Sequence, residues 1–251
     1  MRIVTAFACA ALGVGLATGA AATTWYVPSP ECPTIQAGID SAATGDTVLV
    51  ADGTYSGAGN RNIDFLGKAI LVTSENGPEV TIIDVGGGGN RGFWFHNGEG
   101  SASIVRGFTI QGGMMEGGAG ISCEDSSPRI EGNIISAGEA ASGGGINCYQ
   151  SAAMIVGNTI TGNWGDDGGG ICCYEASPLI SGNIITENRA FNRGGGIYSL
   201  ESSPVIEGNT IESNLAMTVS FDGYGGGIFC RYGSPAIVGN TITENVADYL
   251  G

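Results

Sequence analysis

The sequence predicts an all-β fold, a right-handed parallel β-helix whose coils are about 25 residues long, with a short N-terminal capping helix. Three observations carry this. A glycine motif repeats: GAGI starts at Gly118, and GGGI returns at Gly143, Gly168, Gly194 and Gly225, at steps of 25, 25, 26 and 31 residues. Three isoleucine columns repeat with it. So does an asparagine that always follows glycine. A fixed period of this kind marks stacked structural units, each unable to bury its apolar face alone.

Within a unit the chain reads GGGI-x-C, then SSP-x-I-x-GN, then T-I-x-x-N. The first column is Ile121, Ile146, Ile171, Ile197 and Ile228. The second is Ile130, Ile155, Ile180, Ile206 and Ile237, and the third Ile135, Ile160, Ile185, Ile211 and Ile242. Each stands in a short stretch where apolar and polar residues tend to alternate, the pattern of a strand with one buried face. No stretch keeps a 3.6-residue period, and β-branched residues dominate, so helices are not expected here. Stacking in register would pair each strand with its copy about 4.8 Å away, giving three parallel sheets around one core. Each fully buried isoleucine would contribute roughly 1.5–3 kcal/mol.

Asn133, Asn158, Asn183, Asn209 and Asn240 form one polar column, and Asn163, Asn188, Asn214 and Asn245 a second. An amide can donate to and accept from the copies above and below it, so these columns suit ladders at the turns. The second column, beside the variable segment, is expected to be the wetter. Cys123, Cys148, Cys173 and Cys230, with Ser199 once in their place, lie two residues after an inward isoleucine and should also face inward. In-register neighbours stand near 4.8 Å apart. A disulfide prefers Cβ atoms roughly 3.5–4.5 Å apart, which favours buried free thiols over bridges. Cys172 should point outward. With one histidine, His96, and no C-x-x-C pair, no metal site is expected.

The N-terminus reads as a secretory signal over residues 1–22. Arg2 is its only charge, Ile3 to Leu16 is apolar, and Ala20-Ala21-Ala22 offers a small-residue cleavage site. Apart from this segment no stretch is long and apolar enough to span a bilayer. The expected location is secreted or on the outer cell surface. Residues 23–251 then form the β-helix domain, with a cap and irregular coils over 23–117 and regular repeats over 118–251. Pro33 and Thr34 open a short amphipathic helix, Ile35 and Ile39 share one of its faces, and Gly45-Asp46 turns the chain. The helix should close the end of the first coil, as terminal solenoid units must be capped. The chain stops at Gly251, about where another GGGI would begin. It is therefore expected to continue further, or to self-associate end to end.

Composition narrows the partners. Nine basic residues against 24 acidic ones, a formal charge of −15, make nucleic acid and anionic membrane surfaces poor partners. Forty-six glycines without a Gly-X-Y period exclude collagen, and 42% apolar residues argue against disorder. Polysaccharides or surface proteins remain. No cofactor is expected; Ca2+ would suit the acidity, but no calcium-binding motif is present.

The opening residues Ile35-Gln36-Ala37-Gly38-Ile39-Asp40, Gly45-Asp46-Thr47-Val48, Gly53-Thr54-Tyr55 and Asp64-Phe65-Leu66-Gly67-Lys68, together with the GGGI, SSP and GN repeats, resemble bacterial β-helix proteins of the pectin-lyase-like superfamily. The GGGI repeats are also similar to those of polymorphic outer-membrane adhesins. The resemblance covers essentially everything after the signal segment. It implies the fold, and a range of roles from pectate lyases, polygalacturonases and pectin methylesterases to non-enzymatic surface proteins. The enzymes' signatures do not carry over. Asp64-Phe65 is explained by the opening pattern, and Gly165-Asp166-Asp167 lacks the accompanying Gly-His-Gly and Arg-Ile-Lys motifs.

One candidate site follows from the stacking. The segments just before each GGG are the most variable in the repeat, read here as loops gathered on one edge. They bring together Trp164, Phe191, Arg193, Phe221, Tyr224 and Tyr249 as residues for a glycan or protein partner. Asp166, Asp167, Asp222 and Asp248 accompany them as candidate catalytic carboxylates. Aromatic faces beside carboxylates suit sugar rings and their hydroxyl groups. Asp222 and Asp248, one coil apart, would lie near the separation of a retaining carboxylate pair, and Asp167 and Asp222, two coils apart, near the upper limit of an inverting one. His96, with Phe93, Trp94 and Phe95, reads as packing. The expected function is a secreted or surface-exposed scaffold or adhesin-like module binding glycans or proteins along this edge. The alternative is a polysaccharide lyase or glycoside hydrolase acting on an acidic polysaccharide such as pectin.

Overall fold

A computed structural model of the chain describes residues 21–217 and 223–248. Residues 1–20, most of the signal segment, lie outside the described residues, as do Phe221, Asp222 and Tyr249. The fold is a right-handed parallel β-helix with one short helix. Every strand pairing between coils is parallel, and each isoleucine of the three columns pairs with its equivalent, as in Ile146 with Ile171, Ile155 with Ile180 and Ile160 with Ile185. From Ile121 to Ile211 these side chains are fully buried.

The coil differs from expectation in one respect: it has four sheets, not three. The first, second and third carry the three isoleucine columns, with seven, nine and eight strands among the described residues. The fourth has six strands: Met114–Gly117, Glu139–Ser142, Trp164–Asp167, Arg189–Arg193, Leu215–Ala216 and Val246–Ala247. These are the segments read as loops. Their inward residues from the second strand to the fifth are Ala140, Gly165, Ala190 and Ala216, all buried. A strand that faces the core with Ala or Gly shows no large-apolar alternation, so its period of two is nearly invisible in sequence. The 26-residue step at Gly194 is absorbed as a register shift after Gly165 in this sheet.

The glycine triplet is the hinge between the fourth sheet and the next first-sheet strand. Gly168 has φ +68°, and a Cβ there would lie 2.5 Å from the Ile171 carbonyl oxygen. At Gly170 a Cβ would stand 2.6 Å from the Gly196 carbonyl oxygen of the following coil. Only glycine allows this tight re-entrant corner.

Both asparagine columns form continuous ladders. In the first, the Asn158 backbone N–H and side-chain Nδ2 donate to Asn183 Oδ1 at 2.9 and 3.1 Å, while Asn183 Nδ2 donates to the Ile155 carbonyl at 2.9 Å. The second repeats this: Asn163 N and Nδ2 donate to Asn188 Oδ1 at 3.1 and 2.9 Å, and Asn163 Nδ2 to the Ile135 carbonyl at 3.0 Å. The second column is not the wetter one. Asn163 is 0% exposed and Asn183 1%, because fourth-sheet strands cover what loops would have left open.

At the N-terminus the helix spans Ile35–Ser41, with Thr34 as its cap accepting from the Ala37 N–H. Ile35 and Ile39 are buried in the common core. A Cβ at Gly38 would come within 2.9 Å of Val27 and 2.8 Å of Val48, so glycine permits the close approach of helix to sheet. Asp46 ties the start of the first strand together, accepting from Thr23 N, Trp25 Nε1 and Ala43 N. These bonds, with those to Ala43 and Thr23 foremost, hold its carboxyl below the usual carboxylate range.

Candidate functional site

The fourth sheet points alternate residues outward, and its outer face gathers part of the expected edge. Trp164 is half-buried, with Glu139 and Arg189 as its register neighbours. The Arg189 guanidinium lies 5.2 Å from the centre of the Trp164 ring, within cation–π range. The Phe191 ring stands 5.6 Å away at 58°. Phe191 itself is 37% exposed. Two hollows flank this group. One, about 740 Å³, is lined by Trp164, Glu187, Arg189, Asn214, Leu215 and Glu244 among others. The other, about 200 Å³, includes Met114, Glu139, Trp164, Asp166 and Phe191. Aromatic carbon, a guanidinium and carboxylates thus share one exposed face.

The remaining expected residues divide. Arg193 and Tyr224 are not on this face. They pair with each other at the corner leading into the glycine triplet, where Arg193 lies over the Phe229 ring at 5.9 Å. The extra residue in Arg189–Arg193 carries Arg193 round that corner. Asp166 and Asp248 are exposed, whereas Asp167 is half-buried and pairs in register with Arg193. With Asp222 outside the described residues, the proposed carboxylate pairs have no described geometry. Among the described residues no cluster of His, Cys, Asp or Glu has the makings of a metal site. No helix among them is long and apolar enough to cross a membrane.

The corner between the fourth and first sheets forms a concave groove that the sequence reading did not identify. Its floor is the outward column of the first sheet: Trp94, Ser122, Asn147, Cys172, Tyr198 and Phe229, one per coil. Its far wall carries Glu124, Tyr149, Tyr174 and Leu200, with the Tyr149 and Tyr174 rings 5.7 Å apart and nearly parallel. Cys172 does point outward, yet it is 2% exposed because the corner covers it. Burial, followed by the Asp167 charge, pushes its thiol well up. The signal for this groove was the variable residue directly after each GGGI, which the repeat consensus discards as x.

At the N-terminal end of the groove, Arg91 lies over the Trp94 ring at 4.9 Å and bonds Glu124 at 3.1 Å. Burial alone would raise Glu124, but bonds from Ser122 and Arg91 hold it below its ordinary range. His96 stacks on Trp94 at 3.6 Å, and its Nε2 lies 3.2 Å from Asp64 Oδ2, so its ring is engaged in packing. The inward Cys123, Cys148 and Cys173 stack in register, buried and unbridged.

Among known proteins, a family model described as right handed beta helix region matches residues 45–183 and 91–249. No curated protein and no solved structure matches the chain significantly.

Proposed function

The chain belongs to the right-handed beta helix family, and from that premise we propose that it is an exported scaffold that binds glycans on the outer face of its fourth sheet. The observation that carries this reading is the Trp164, Arg189 and Phe191 group between two hollows. A half-exposed indole offers an apolar surface for a sugar ring. Arg189, Glu187 and Glu139 supply donors and acceptors for its hydroxyls. A parallel solenoid repeats its geometry every 4.8 Å or so, which suits an extended polymer better than a compact ligand. The proposed place of action is outside the cell, supported by the apolar N-terminal segment.

The test is retention against release. A panel of neutral and acidic polysaccharides is immobilised, and the folded protein is passed over it. A binder is retained and leaves the polymer intact. Release of unsaturated or reducing ends would replace this reading with that of a lyase or hydrolase. No retention on any polymer would remove the glycan reading altogether.

A further inference from the structure

We propose that the corner groove between the fourth and first sheets is a second, separate saccharide site, selective for uncharged sugars over uronic acids. The groove holds a pocket of about 390 Å³, a size common for small-ligand sites. Its volume has a plain origin in the floor column. Ser122, Asn147 and Cys172 are small and stand between bulky Trp94 at one end and Tyr198 with Phe229 at the other. Ser122 is itself covered, with its hydroxyl on Glu124, so the open floor is Asn147 and Cys172, two coils or roughly 10 Å at about 4.8 Å per coil.

The lining is polar in a particular way. Tyr149, Tyr174 and Tyr198 supply hydroxyls and ring carbon, Ser142 another hydroxyl, and Asn147 an amide. Asn147 is only 8% exposed, and its side chain has no hydrogen-bond partner among the described residues. Its amide is not a sealed, unmet group: it faces the open pocket and is free to meet a ligand, whereas every asparagine of the two ladders is bonded within the fold. Gly117 keeps the space over it open, since a Cβ there would lie 3.2 Å from Asn147 Nδ2.

Charge sets the selectivity. Glu116, Glu124 and Asp167 line the pocket, and no cation does. Arg91 and Arg193 stand at its two ends, bonded to Glu124 and paired in register with Asp167. Glu116 has no ion pair among the described residues. Carboxylates accept hydrogen bonds from sugar hydroxyls, but they repel a ligand carboxylate in the same place. The site thus differs from the Trp164 face, where Arg189 lies at the centre.

The experiment is calorimetric titration of the full chain carrying Trp164→Ala, so that the fourth-sheet face contributes at most weakly. The probes are neutral hexose oligomers and the uronate oligomers of matching linkage. At least one neutral oligomer should bind at least tenfold more tightly than its uronate partner. Adding Asn147→Leu, which keeps the branched four-atom side chain but removes the amide, should weaken that binding at least tenfold. Tyr174→Ala on the rim should also weaken it, and serves if Asn147→Leu lowers the melting temperature. Equal binding of uronates, no effect of either added variant, or no binding by any neutral oligomer would each overturn the proposal. Loss of all binding on Trp164→Ala alone leaves the fourth-sheet reading standing without this one. Unchanged binding on Trp164→Ala does the reverse.

Discussion

Replacing Asn183 and Asn163 with alanine, one at a time, tests the four-sheet coil through its energetics. At Asn183 the substitution leaves the Asn158 backbone N–H without its 2.9 Å acceptor, and it removes the donors to the Ile155 carbonyl and Asn209 Oδ1. An orphaned buried N–H costs roughly 1–3 kcal/mol, so a loss of about 2 kcal/mol is expected. At Asn163 the Gly138 N–H loses its 3.0 Å acceptor, and the Ile135 carbonyl and Asn188 Oδ1 lose donors; Asn183 accepts one bond more, from Asn158 Nδ2, which keeps the Ile130 carbonyl as a partner. Both sites are fully buried, so both losses should fall in that range, with Asn183 the larger by about 1 kcal/mol at most. Urea unfolding with an unchanged m-value is the assay. A large loss at Asn183 beside a negligible one at Asn163 would mean that water reaches the second column and that the fourth sheet does not cover it. Negligible losses at both would reduce the ladders to ordinary turn residues.

Three further outcomes follow. Ile180→Asp places an unpaired carboxylate in a fully buried column and should abolish cooperative thermal unfolding; an unchanged melting curve would show that Ile180 does not face inward. Alkylation of the native protein should leave Cys32, Cys123, Cys148, Cys172 and Cys173 unmodified, because all five are buried; mass mapping that finds Cys172 modified without unfolding would mean an open corner. Asp46 has a folded pKa below its unfolded value, so its stabilisation is present above the ordinary carboxylate range and is lost as pH falls through the folded value. Asp46→Asn should therefore flatten the acid-side change in Trp25 emission, and an identical acid profile in the variant would refute the clip at Thr23, Trp25 and Ala43.

The parts legible in the sequence were those with a large or chemically distinct repeat. Isoleucine every coil marked three sheets and their register, asparagine after glycine located one turn, and the second asparagine column located another. The fourth sheet escaped because Ala140, Gly165, Ala190 and Ala216 face the core with almost no side chain. Once those segments form strands, Trp164, Arg189 and Phe191 share a face, while Arg193 and Tyr224 turn into the corner. The corner pocket escaped for the opposite reason. Its floor is built from a residue that changes in every coil, from Trp94 through Ser122, Asn147 and Cys172 to Tyr198, and its hollow comes from that variation.

Function turns on Trp164. The decisive measurement is the dissociation constant of the folded chain and of its Trp164→Ala variant for the oligosaccharide retained best in the polysaccharide panel, with melting temperature as the folding control. A buried aromatic anchor of a binding site is worth about 1.4–3 kcal/mol, so the variant should bind on the order of tenfold to 100-fold more weakly at unchanged stability. Equal affinity of the two proteins for every retained glycan would contradict a binding site on the fourth sheet.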